Sequence, residues 1–437
     1  MRIAFAIPAA LLALTLAGCE EPAPPAPPRS MILGLDGCDW RNALPLVRQG
    51  KLPTVEALWR AGARGTMLTN PDYRWSPVLW TSIATGKLPQ EHGVTSFMAQ
   101  VEGMDRWIPT PSTERKVRAL WNMFTEKDRS VGFVGWWVTW PAEPVKGFMV
   151  TDHFSVSRFD LGNDYERERE SVFSEQETWP PELGQQIAAL KVPRQRIGRE
   201  DYARFVNLPA DWQWPEHFRK FDKASEFAIA HSVDRTHSGA GQRLLRDVEP
   251  DLFGVFLQGI DIMQHYYWEY LDPSQAFWSP SDAEVREYGE AIERYYRWID
   301  GVVADLVEAG GDRAVLIVSD HGFRPADDRY EDKHISGEHR RQAVWLFAGP
   351  GARRDVIVPE TDAVDVTPTI LAYHGLPVAH DFDGDPVLDV MTPEWQAAHP
   401  VEWIATWETS PLARRELPGS SNARDLEERI RALGYIE

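Results

Sequence analysis

Short, almost wholly apolar runs recur along the chain, and the longer stretches between them return to apolar residues at every third or fourth position. The short runs are typical of strands buried on both faces, whereas the longer spacing is typical of amphipathic helices. The predicted strands are "SMILGLDG" (30–37), "SVGFVGWW" (130–137), "DLFGVFLQGID" (251–261), "RAVLIVSD" (313–320) and "QAVWLFAG" (342–349). The predicted helices are "LPTVEALWRAGA" (52–63), "SPVLWTSIATG" (76–86), "ERKVRALWNMF" (114–124), the stretch 281–310 and "TPTILAYHG" (367–375).

Buried strands that alternate with helices predict a protein of the α/β class, an α/β/α sandwich around a mostly parallel central sheet. Helix-end signals support this prediction. Ser76 is expected at an N-cap, with Pro77 as the first helical residue and Gly86 as the stop. In the stretch 281–310 a capping box at Ser281 precedes one apolar stripe, formed by Ile292, Tyr295, Ile299, Val302 and Leu306.

Between about residue 152 and residue 222 the pattern changes, because charges, prolines and tryptophans dominate and no apolar run is long enough for a strand. We interpret this segment as an insertion that forms a helical or irregular cap over the sheet. Its tryptophans, together with "WWVTW" (136–140), either line a wall for part of a ligand or belong to the core.

The N-terminus is not expected to belong to the fold. Residues 1–18 carry one arginine and then an apolar run that ends in "LAGC", which is typical of a bacterial lipoprotein signal peptide cleaved before a lipidated Cys19. The alternatives are an ordinary cleaved signal peptide and a free N-terminal anchor. Residues 19–30 are rich in proline and predict an extended tether between a lipid anchor and the folded domain. These features predict a lipid-anchored protein of the bacterial cell envelope that faces the periplasm, in either membrane.

The formal net charge of −20 at pH 7 excludes one class of partner. So acidic a surface repels polyanions and argues against nucleic acid as a stable partner. A small anionic substrate would need local compensation, most simply by metal ions. The sequence does not fix the oligomeric state.

Three of the predicted strands end in an aspartate: Asp36, Asp261 and Asp320. Ligands of an open parallel sheet bind beyond the carboxyl ends of its strands, so we expect these carboxylates on one rim, beside His265 and His321. Divalent cations would relieve the repulsion between the acids, and carboxylate with imidazole suits zinc, manganese or iron. Taken singly, a strand-end Asp-Gly is often only a turn, and a lone histidine is often only a packing residue.

Ser76 is a candidate nucleophile on the same rim, because a helix start favours anions. A plain N-cap serine is the alternative. Arg115 and Lys116 precede a predicted helix, where they either meet a substrate phosphate or form a solvated charged face.

The order of "GLDG", "SPVLWTSIATGKLPQEHGV", "DIMQH", "SDHGF" and "SGEHRRQAVWLFAGPG" resembles the alkaline phosphatase superfamily, in particular its type I phosphodiesterase and nucleotide pyrophosphatase branch. The similarity runs from about residue 31 to residue 390, apart from the insertion. It implies a catalytic domain over 31–437 and a phosphoester hydrolase with two divalent ions, zinc being favoured.

Carried over by position, the resemblance assigns Ser76 as the nucleophile and as a metal ligand. One ion would be held by Asp36, Asp320 and His321, next to Ser76. The other would be held by Asp261, His265 and His339. His339 is preferred to His334 because it immediately precedes the last predicted strand, as the family's last ligand does.

The sequence departs from the family in one place that affects specificity. The pyrophosphatase branch usually has an asparagine after the "HG" turn, where this chain has Phe97. The Cys/Ser-x-Pro-x-Arg pattern of sulfatases is missing from "SPVLW", so sulfate esters are not expected. A small phosphorylated substrate is therefore predicted, while phosphodiester, phosphomonoester, phosphonate hydrolysis and phosphate-group transfer to envelope components stay open. A binding lipoprotein without catalysis is the rival from another class.

Overall fold

The computed structural model describes residues 27–413, apart from 71, 74, 101–106, 156–175, 277 and 328–334, together with residues 415 and 417. Cys19, most of the tether and His334 lie outside the described residues. The strands, in chain order, are β1 (Ser30–Leu35), β2 (Gly62–Leu68), β3 (Met98–Gln100), β4 (Trp107–Pro109), β5 (Val131–Val134), β6 (Gly147–Val150), β7 (Thr178–Trp179), β8 (Leu252–Leu257), β9 (Ala314–Val318), β10 (Gly322–Pro325), β11 (Gly337–Arg340), β12 (Gln342–Ala348), β13 (Val356–Ile357), β14 (Thr361–Asp362), β15 (Val378–Ala379) and β16 (Trp403–Ile404).

Within the described ranges, helices lie in seven of the fifteen intervals between these strands. They are α1 (Trp40–Arg48), α2 (Pro53–Ala61), α3 (Ser76–Thr85), α4 (Pro89–His92), α5 (Leu120–Glu126), α6 (Leu183–Ile187), α7 (Arg199–Tyr202), α8 (Lys223–Val248), α9 (Gly259–Leu271), α10 (Asp282–Tyr288), α11 (Ala291–Gly310), α12 (Val366–Tyr373) and α13 (Pro393–Ala398). Among the described residues, none of the helices combines the length and the hydrophobicity that a transmembrane span requires.

The central sheet has the strand order β13-β2-β12-β9-β1-β8-β5-β6-β7, with β14 also paired to β2. The strands from β9 to β6 are parallel, with Ser30 opposite Leu252 on β8 and opposite Ala314 on β9. The strands β12 and β7 pair antiparallel to their neighbours on either side of this block. The prediction of a mostly parallel α/β sandwich is therefore confirmed.

Alternate residues of β1 enter separate cores on the two faces of the sheet, as the twofold repeat of a strand requires. Met31, Leu33 and Leu35 pack with the helices α1, α2, α8, α9 and α11. Ile32 faces the other way, into a core with α3, α5 and α12. All six residues of β1 are buried, which explains its unbroken apolar sequence.

Two predicted helices are shorter than their patterns suggested. The stretch 281–310 is interrupted after Tyr288 and forms α10 and α11, although the capping box at Ser281 and the buried stripe of α11 are as predicted. Helix α5 begins only at Leu120, because the chain before it is held extended by buried contacts.

Arg115 makes these contacts. Its guanidinium is 1% exposed, and NH2 lies 2.5 Å from Oε2 of the fully buried Glu143. Arg115 therefore neither meets a substrate nor belongs to a solvated charged face, whereas the neighbouring Lys116 is exposed.

Residues 176–222, which form most of the described part of the insertion, contribute one strand, two short α-helices and two short 3-10 helices. Strand β7 pairs antiparallel with β6 and so extends the sheet, which the sequence did not predict. Tyr202 and Phe205 join the core on the α8 side, where each packs against Phe227. This segment is thus anchored to the helical layer, and its role as a cap stays a prediction.

Candidate active site

Asp36 directly follows β1 at the carboxyl edge of the sheet. Its backbone N–H donates to the Leu257 carbonyl at 2.9 Å, which continues the pairing of β1 with β8 for one more residue. The chain then turns at Gly37, whose φ of +69° and close approach to Asp261 leave no room for a side chain, since a Cβ there would lie 3.0 Å from Asp261 Cα. The turn therefore keeps Asp36 and Asp261 adjacent.

The sequence suggested that Asp261 ends a strand, but in the structure it does not. Strand β8 stops at Leu257, and Asp261 lies in the first turn of α9, with His265 one turn later. Residues i and i+4 share one face of a helix, so both side chains face the sheet edge together. The prediction missed the boundary because α9 opens with the apolar "GIDIM", which continues the apolar run of the strand.

Asp234 on α8 holds this strand-to-helix junction. Its two carboxylate oxygens accept hydrogen bonds from the backbone N–H groups of Gln258 (2.8 Å) and Gly259 (3.0 Å), and a third from the Tyr295 hydroxyl (2.9 Å). Asp234 is fully buried, and burial raises its pKa to about 7 although all three donors favour the charged form. This positioning role could not be predicted from the sequence, because Asp234 and the junction are separated along the chain.

Asp320 and His321 follow β9, and His339 reaches the same edge from a hairpin. Strands β10 and β11 pair antiparallel with Phe323 opposite His339, which folds His339 back over His321. The two imidazole rings stack with centroids 3.5 Å apart. All the predicted metal-ligand residues that the sequence placed at strand ends or in the last loop are therefore close together.

These side chains form two overlapping groups whose ligand atoms lie within 4.8 Å of one another: Asp36, Asp320 and His321 in one, and Asp261, His321 and His339 in the other. In the first group His321 Nε2 lies 3.3 Å from Asp36 Oδ1 and 3.5 Å from Asp320 Oδ2. In the second, Asp261 Oδ1 lies 3.3 Å from Nε2 of His339 and 3.7 Å from Nε2 of His321. His265 adjoins the second group, with Nε2 3.0 Å from His339 Nε2.

The second group tests whether the donor set suits a metal ion. His265 Nδ1 lies 2.8 Å from the Gly337 carbonyl, to which it donates, so Nε2 is the ring nitrogen that faces the site and could bind a cation. Two imidazole nitrogens at 3.0 Å from each other and a carboxylate oxygen at 3.3 Å from both are the donor types of a zinc site. Asp261 Oδ1, buried, has no hydrogen-bond partner among the described residues.

The first group passes the same test. Asp36 Oδ1, Asp320 Oδ2 and His321 Nε2 are buried and likewise lack a hydrogen-bond partner within the described part of the chain. Buried polar atoms without partners are costly, so a shared ligand is the natural way to satisfy all of them at once. The residues present therefore fit two divalent cations.

The pKa values of the acids reflect the crowding. Burial, and then the charge of Asp261, raise the pKa of Asp36 well above its ordinary value. Burial and the charge of Asp36 do the same to Asp320. Burial also acts to raise the pKa of Asp261, but His265 and His339 outweigh it, and that pKa lies well below its ordinary value. When no cation is bound, Asp36 and Asp320 therefore have too little positive charge around them to stabilise both carboxylates.

Ser76 is the first helical residue of α3, and Trp75 before it occupies the N-cap position. The prediction that Ser76 is itself the N-cap is therefore wrong by one residue, and no side chain caps this helix. The Ser76 hydroxyl, 7% exposed, interacts with the Asp36 carboxyl and favours its charged form. The hydroxyl does not cap the helix, and it lies beside the group formed by Asp36, Asp320 and His321.

The sequence also missed a salt bridge that fixes the hairpin. Asp39 caps α1 through the Arg41 N–H at 2.8 Å and accepts two hydrogen bonds from the guanidinium of Arg340, at 2.7 and 2.6 Å. Its Oδ2 also accepts from the Phe323 N–H at 3.1 Å. Asp39, 1% exposed, thereby ties α1 to the hairpin that carries His339.

Phe97, which replaces the family's asparagine, belongs to an aromatic cluster beside Ser76. Its ring centroid lies 5.5 Å from that of Trp75 and 5.7 Å from that of Trp137. Phe97 and Trp137 line a cavity that also touches Pro77, the neighbour of Ser76. Two aromatic side chains therefore line the cavity next to the serine, which also has polar lining residues such as Asp152 and Gln258.

An α/β sandwich with a cluster of carboxylates and imidazoles at the carboxyl edge of its sheet, next to a serine at a helix start, is the architecture of the alkaline phosphatase superfamily. Residues 31–363 match the model of the family described as type I phosphodiesterase / nucleotide pyrophosphatase. The chain belongs to this family, and it is a phosphoric ester hydrolase of the superfamily that the motif order indicated.

Three solved structures are similar to the chain at low sequence identity. Murine ectonucleotide pyrophosphatase/phosphodiesterase 5 is 10% identical, with 83% of this chain and 100% of that chain covered and a TM-score of 0.48. A mutant of the alkaline phosphatase PafA is 12% identical, with 84% and 100% covered and a TM-score of 0.47. Phosphonoacetate hydrolase from Sinorhizobium meliloti is 16% identical, with 68% and 57% covered and a TM-score of 0.38. A search among curated protein sequences finds no match.

Proposed function

We propose that the chain hydrolyses phosphodiesters through Ser76 as nucleophile, with two divalent cations, most simply zinc, at the edge of the sheet. The observation that carries this proposal is the convergence of the unpartnered atoms Asp36 Oδ1, Asp320 Oδ2, Asp261 Oδ1 and His321 Nε2 beside the Ser76 hydroxyl. One ion would be held by Asp36, Asp320, His321 and Ser76, the other by Asp261, His265 and His339.

The residues of the chain then have distinct tasks. Bound cations would neutralise the phosphoryl oxygens and favour the alkoxide form of the serine. The Ser76 oxygen, after losing its proton to solvent, forms a bond to phosphorus while the bond to the leaving oxygen breaks in line and the leaving oxygen takes a proton from solvent. Water then cleaves the bond between Ser76 and phosphorus and releases the phosphomonoester. The start of α3 faces the phosphoryl group with its positive dipole end. Phe97 and Trp137 offer an apolar surface to the retained ester group, which favours a diester over a doubly charged monoester.

The test compares Ser76→Ala with wild type in the purified, metal-loaded protein. Loss of a covalent nucleophile lowers kcat by about three orders of magnitude or more. Turnover of a chromogenic phosphodiester and of the matching monoester is measured, together with metal content. Ser82→Ala is the matched control, because Ser82 lies on the same helix with its hydroxyl 3.1 Å from His92 Nε2, away from the acids.

The outcomes distinguish the proposed function from its rivals. Faster turnover of the monoester would make the protein a phosphomonoesterase. Cleavage of a phosphonate, or transfer of the phosphoryl group to an added alcohol, would indicate a phosphonate hydrolase or a transferase. Metal-free protein with no turnover of any of these would favour a binding lipoprotein.

We further propose that Cys19 carries a lipid that anchors the protein in the bacterial cell envelope, on the periplasmic side. The support is the signal-like segment 1–18, the cysteine at its end and the proline-rich tether. Metabolic labelling with a radioactive fatty acid tests it. Wild type should be labelled and sediment with membranes, whereas Cys19→Ser should be unlabelled; label on both proteins, or on neither, would contradict the proposal.

A further inference from the structure

Gln258 follows β8 at the carboxyl edge of the sheet and lies opposite Asp36. The Asp36 N–H donates to the Leu257 carbonyl at 2.9 Å, which extends the parallel register of β1 and β8 by one residue. Residues opposite each other on paired strands project to the same face of a sheet, and so do residues two positions apart. Phe256 packs into the core on the α3 side. The side chain of Gln258 therefore projects, beside that of Asp36, to the face that carries Ser76.

The backbone of Gln258 is fixed, but its side-chain amide has no partner. Its N–H donates to the buried carboxylate of Asp234 at 2.8 Å. Gln258 occupies the N-cap position of α9, although its side chain does not cap that helix. The half-buried side chain makes no hydrogen bond with any residue that the structure describes. The two N–H donors of the amide are therefore open to a ligand.

Gln258 lines the same cavity as Phe97 and Trp137. The other polar side chains of this cavity already have partners: Thr110, Asp152, His153, Ser155 and His237. The Ser155 hydroxyl, for example, donates to His237 Nε2 at 2.8 Å, and His237 Nδ1 donates to the Phe256 carbonyl at 2.9 Å. The free amide distinguishes Gln258 from these residues.

Backbone donors are scarce where a phosphoryl group would approach Ser76. Pro77 has no N–H, and the N–H groups of the next two residues both donate to the Trp75 carbonyl, at 2.9 and 3.2 Å. The first turn of α3 thus leaves the N–H of Ser76 itself for a phosphoryl oxygen. Phe97, at the position where the pyrophosphatase branch usually has an asparagine, adds an aromatic ring and no amide. A side-chain donor on this side of the site has to come from another part of the chain.

We propose that the side-chain amide of Gln258 donates a hydrogen bond to a non-bridging oxygen of the phosphoryl group while Ser76 attacks phosphorus. This inference rests on the proposed function. A donor that is already in place stabilises the charge on these oxygens, because little reorganisation is then needed during the reaction. The fixed backbone of Gln258 provides that placement, and its amide supplies the hydrogen bond that Phe97 cannot. Gln258 is then a catalytic residue.

Gln258→Leu tests the proposal in the purified, metal-loaded protein. Leucine is similar in size but has no donor. Loss of one donor to a transition-state oxygen lowers kcat by about 100-fold, and we expect this fall on a chromogenic phosphodiester, with KM within about threefold of wild type. Gln258→Glu keeps the shape but replaces the N–H donors by an oxygen, and it should lower kcat at least as far. The metal content of both variants should equal that of wild type, because Gln258 belongs to neither ligand group.

Binding of orthovanadate gives a second measurement that does not depend on turnover. Orthovanadate mimics the phosphoryl group in the transition state, so its affinity reports the contacts made there, and Gln258→Leu should bind it at least about tenfold more weakly than wild type. Gln242→Leu is the matched control. Gln242 lies in the last two turns of α8, which precede the start of β8, and its amide pairs with Asp305 at 3.5 Å. Its kcat and vanadate affinity should equal those of wild type.

The inference is overturned if Gln258→Leu, at wild-type metal content, keeps kcat and vanadate affinity within about threefold of wild type. A rise in KM alone would also overturn it, since the amide would then act on substrate binding and not on the transition state. In both cases turnover by wild type that is lost in Ser76→Ala would leave the proposed function intact. Absence of turnover in wild type would instead contradict the proposed function, and the inference would fall with it.

Discussion

The carboxylate of Asp261 lies between two imidazoles, with Oδ1 3.3 Å from Nε2 of His265 and 3.3 Å from Nε2 of His339. His265 comes from the same helix one turn later, whereas His339 comes from the β10–β11 hairpin. The two imidazoles outweigh burial and keep the pKa of Asp261 well below its ordinary value. Asp261 is therefore the charged centre of the second ligand group.

Asp261→Asn should separate catalysis from folding. The amide keeps the shape of the side chain but removes the charge that faces His265 and His339, so we expect metal content to fall and kcat to drop by about 100-fold or more. Metal analysis and initial rates on a chromogenic diester measure both effects. Asp282→Asn, an exposed aspartate in the first turn of α10, should change neither. Full activity of Asp261→Asn at normal metal content would show that Asp261 is not a metal ligand.

Metal removal should reveal the repulsion between the acids. With a chelator, Asp36 and Asp320 lie buried beside the charged Asp261 with no cation between them, and we expect the free energy of unfolding to fall by about 3 kcal/mol from its value at saturating metal. In the metal-free protein Asp36→Asn should then be more stable than wild type, because it removes one of the repelling charges. In the metal-loaded protein, wild type should instead be more stable than Asp36→Asn. Urea unfolding with and without chelator measures all four states; wild type that unfolds identically in both would argue against bound ions.

A buried histidine away from the site gives a stability change with pH of known sign. His231 on α8 stacks on Phe227 with centroids 5.1 Å apart, and burial lowers its pKa from 6.5 to about 3. In the unfolded chain His231 takes up a proton near pH 6.5, whereas the folded protein does so only near pH 3. Between these values the unfolded state binds more protons, so His231 makes the fold less stable as pH falls.

His231→Phe removes this contribution. As the pH falls from 6.5 to 4, we expect the free energy of unfolding of the variant, relative to that of wild type, to rise by about 1.4 kcal/mol for each pH unit. Comparing the two proteins at each pH cancels the other titrating groups. His380→Phe, which replaces an exposed histidine, is the control. A difference for His231→Phe that does not change with pH would mean that His231 titrates in the folded protein as it does in the unfolded chain.

The strands of the sheet and the acidic residues that follow them could be predicted from the sequence, because their signals are local. The strands β1 and β9 are buried on both faces, so each appears as an unbroken apolar run, and the acid after each run marks its end. Helix α8 escaped prediction for the opposite reason. It buries Ser232, Asp234 and His237 along with its apolar residues, and these polar positions interrupt the amphipathic pattern.

The contacts that position the site depend on residues far apart in the chain. Asp39 and Arg340 are separated by 301 positions, and Asp234 holds a turn 25 residues away. The local sequence around Asp39 and around Asp234 does not distinguish them from an ordinary helix-capping residue or an exposed acidic residue. The order of short motifs, through the family resemblance, therefore indicated the ligands, while the residues that support them became visible only in three dimensions.

The last prediction concerns the buried ion pair that displaced a predicted helix turn. Glu143 is fully buried and accepts hydrogen bonds at 2.5 Å both from Arg115 and from the indole N–H of Trp121. Glu143→Ala would leave the Arg115 guanidinium buried without its carboxylate, and such a change costs about 3–5 kcal/mol. Arg115→Met combined with Glu143→Leu should recover most of that loss, because neither charge then remains in the core.

Urea unfolding of the single and double variants measures these differences. The surface pair of Lys146 with Asp128 is the control, since both side chains are largely exposed, and Lys146→Ala should cost less than about 1 kcal/mol. The diesterase rate should be unchanged in the double variant, because Arg115 does not reach the site. A loss of turnover with normal stability would show instead that Arg115 contributes to substrate binding, the alternative that its burial argues against.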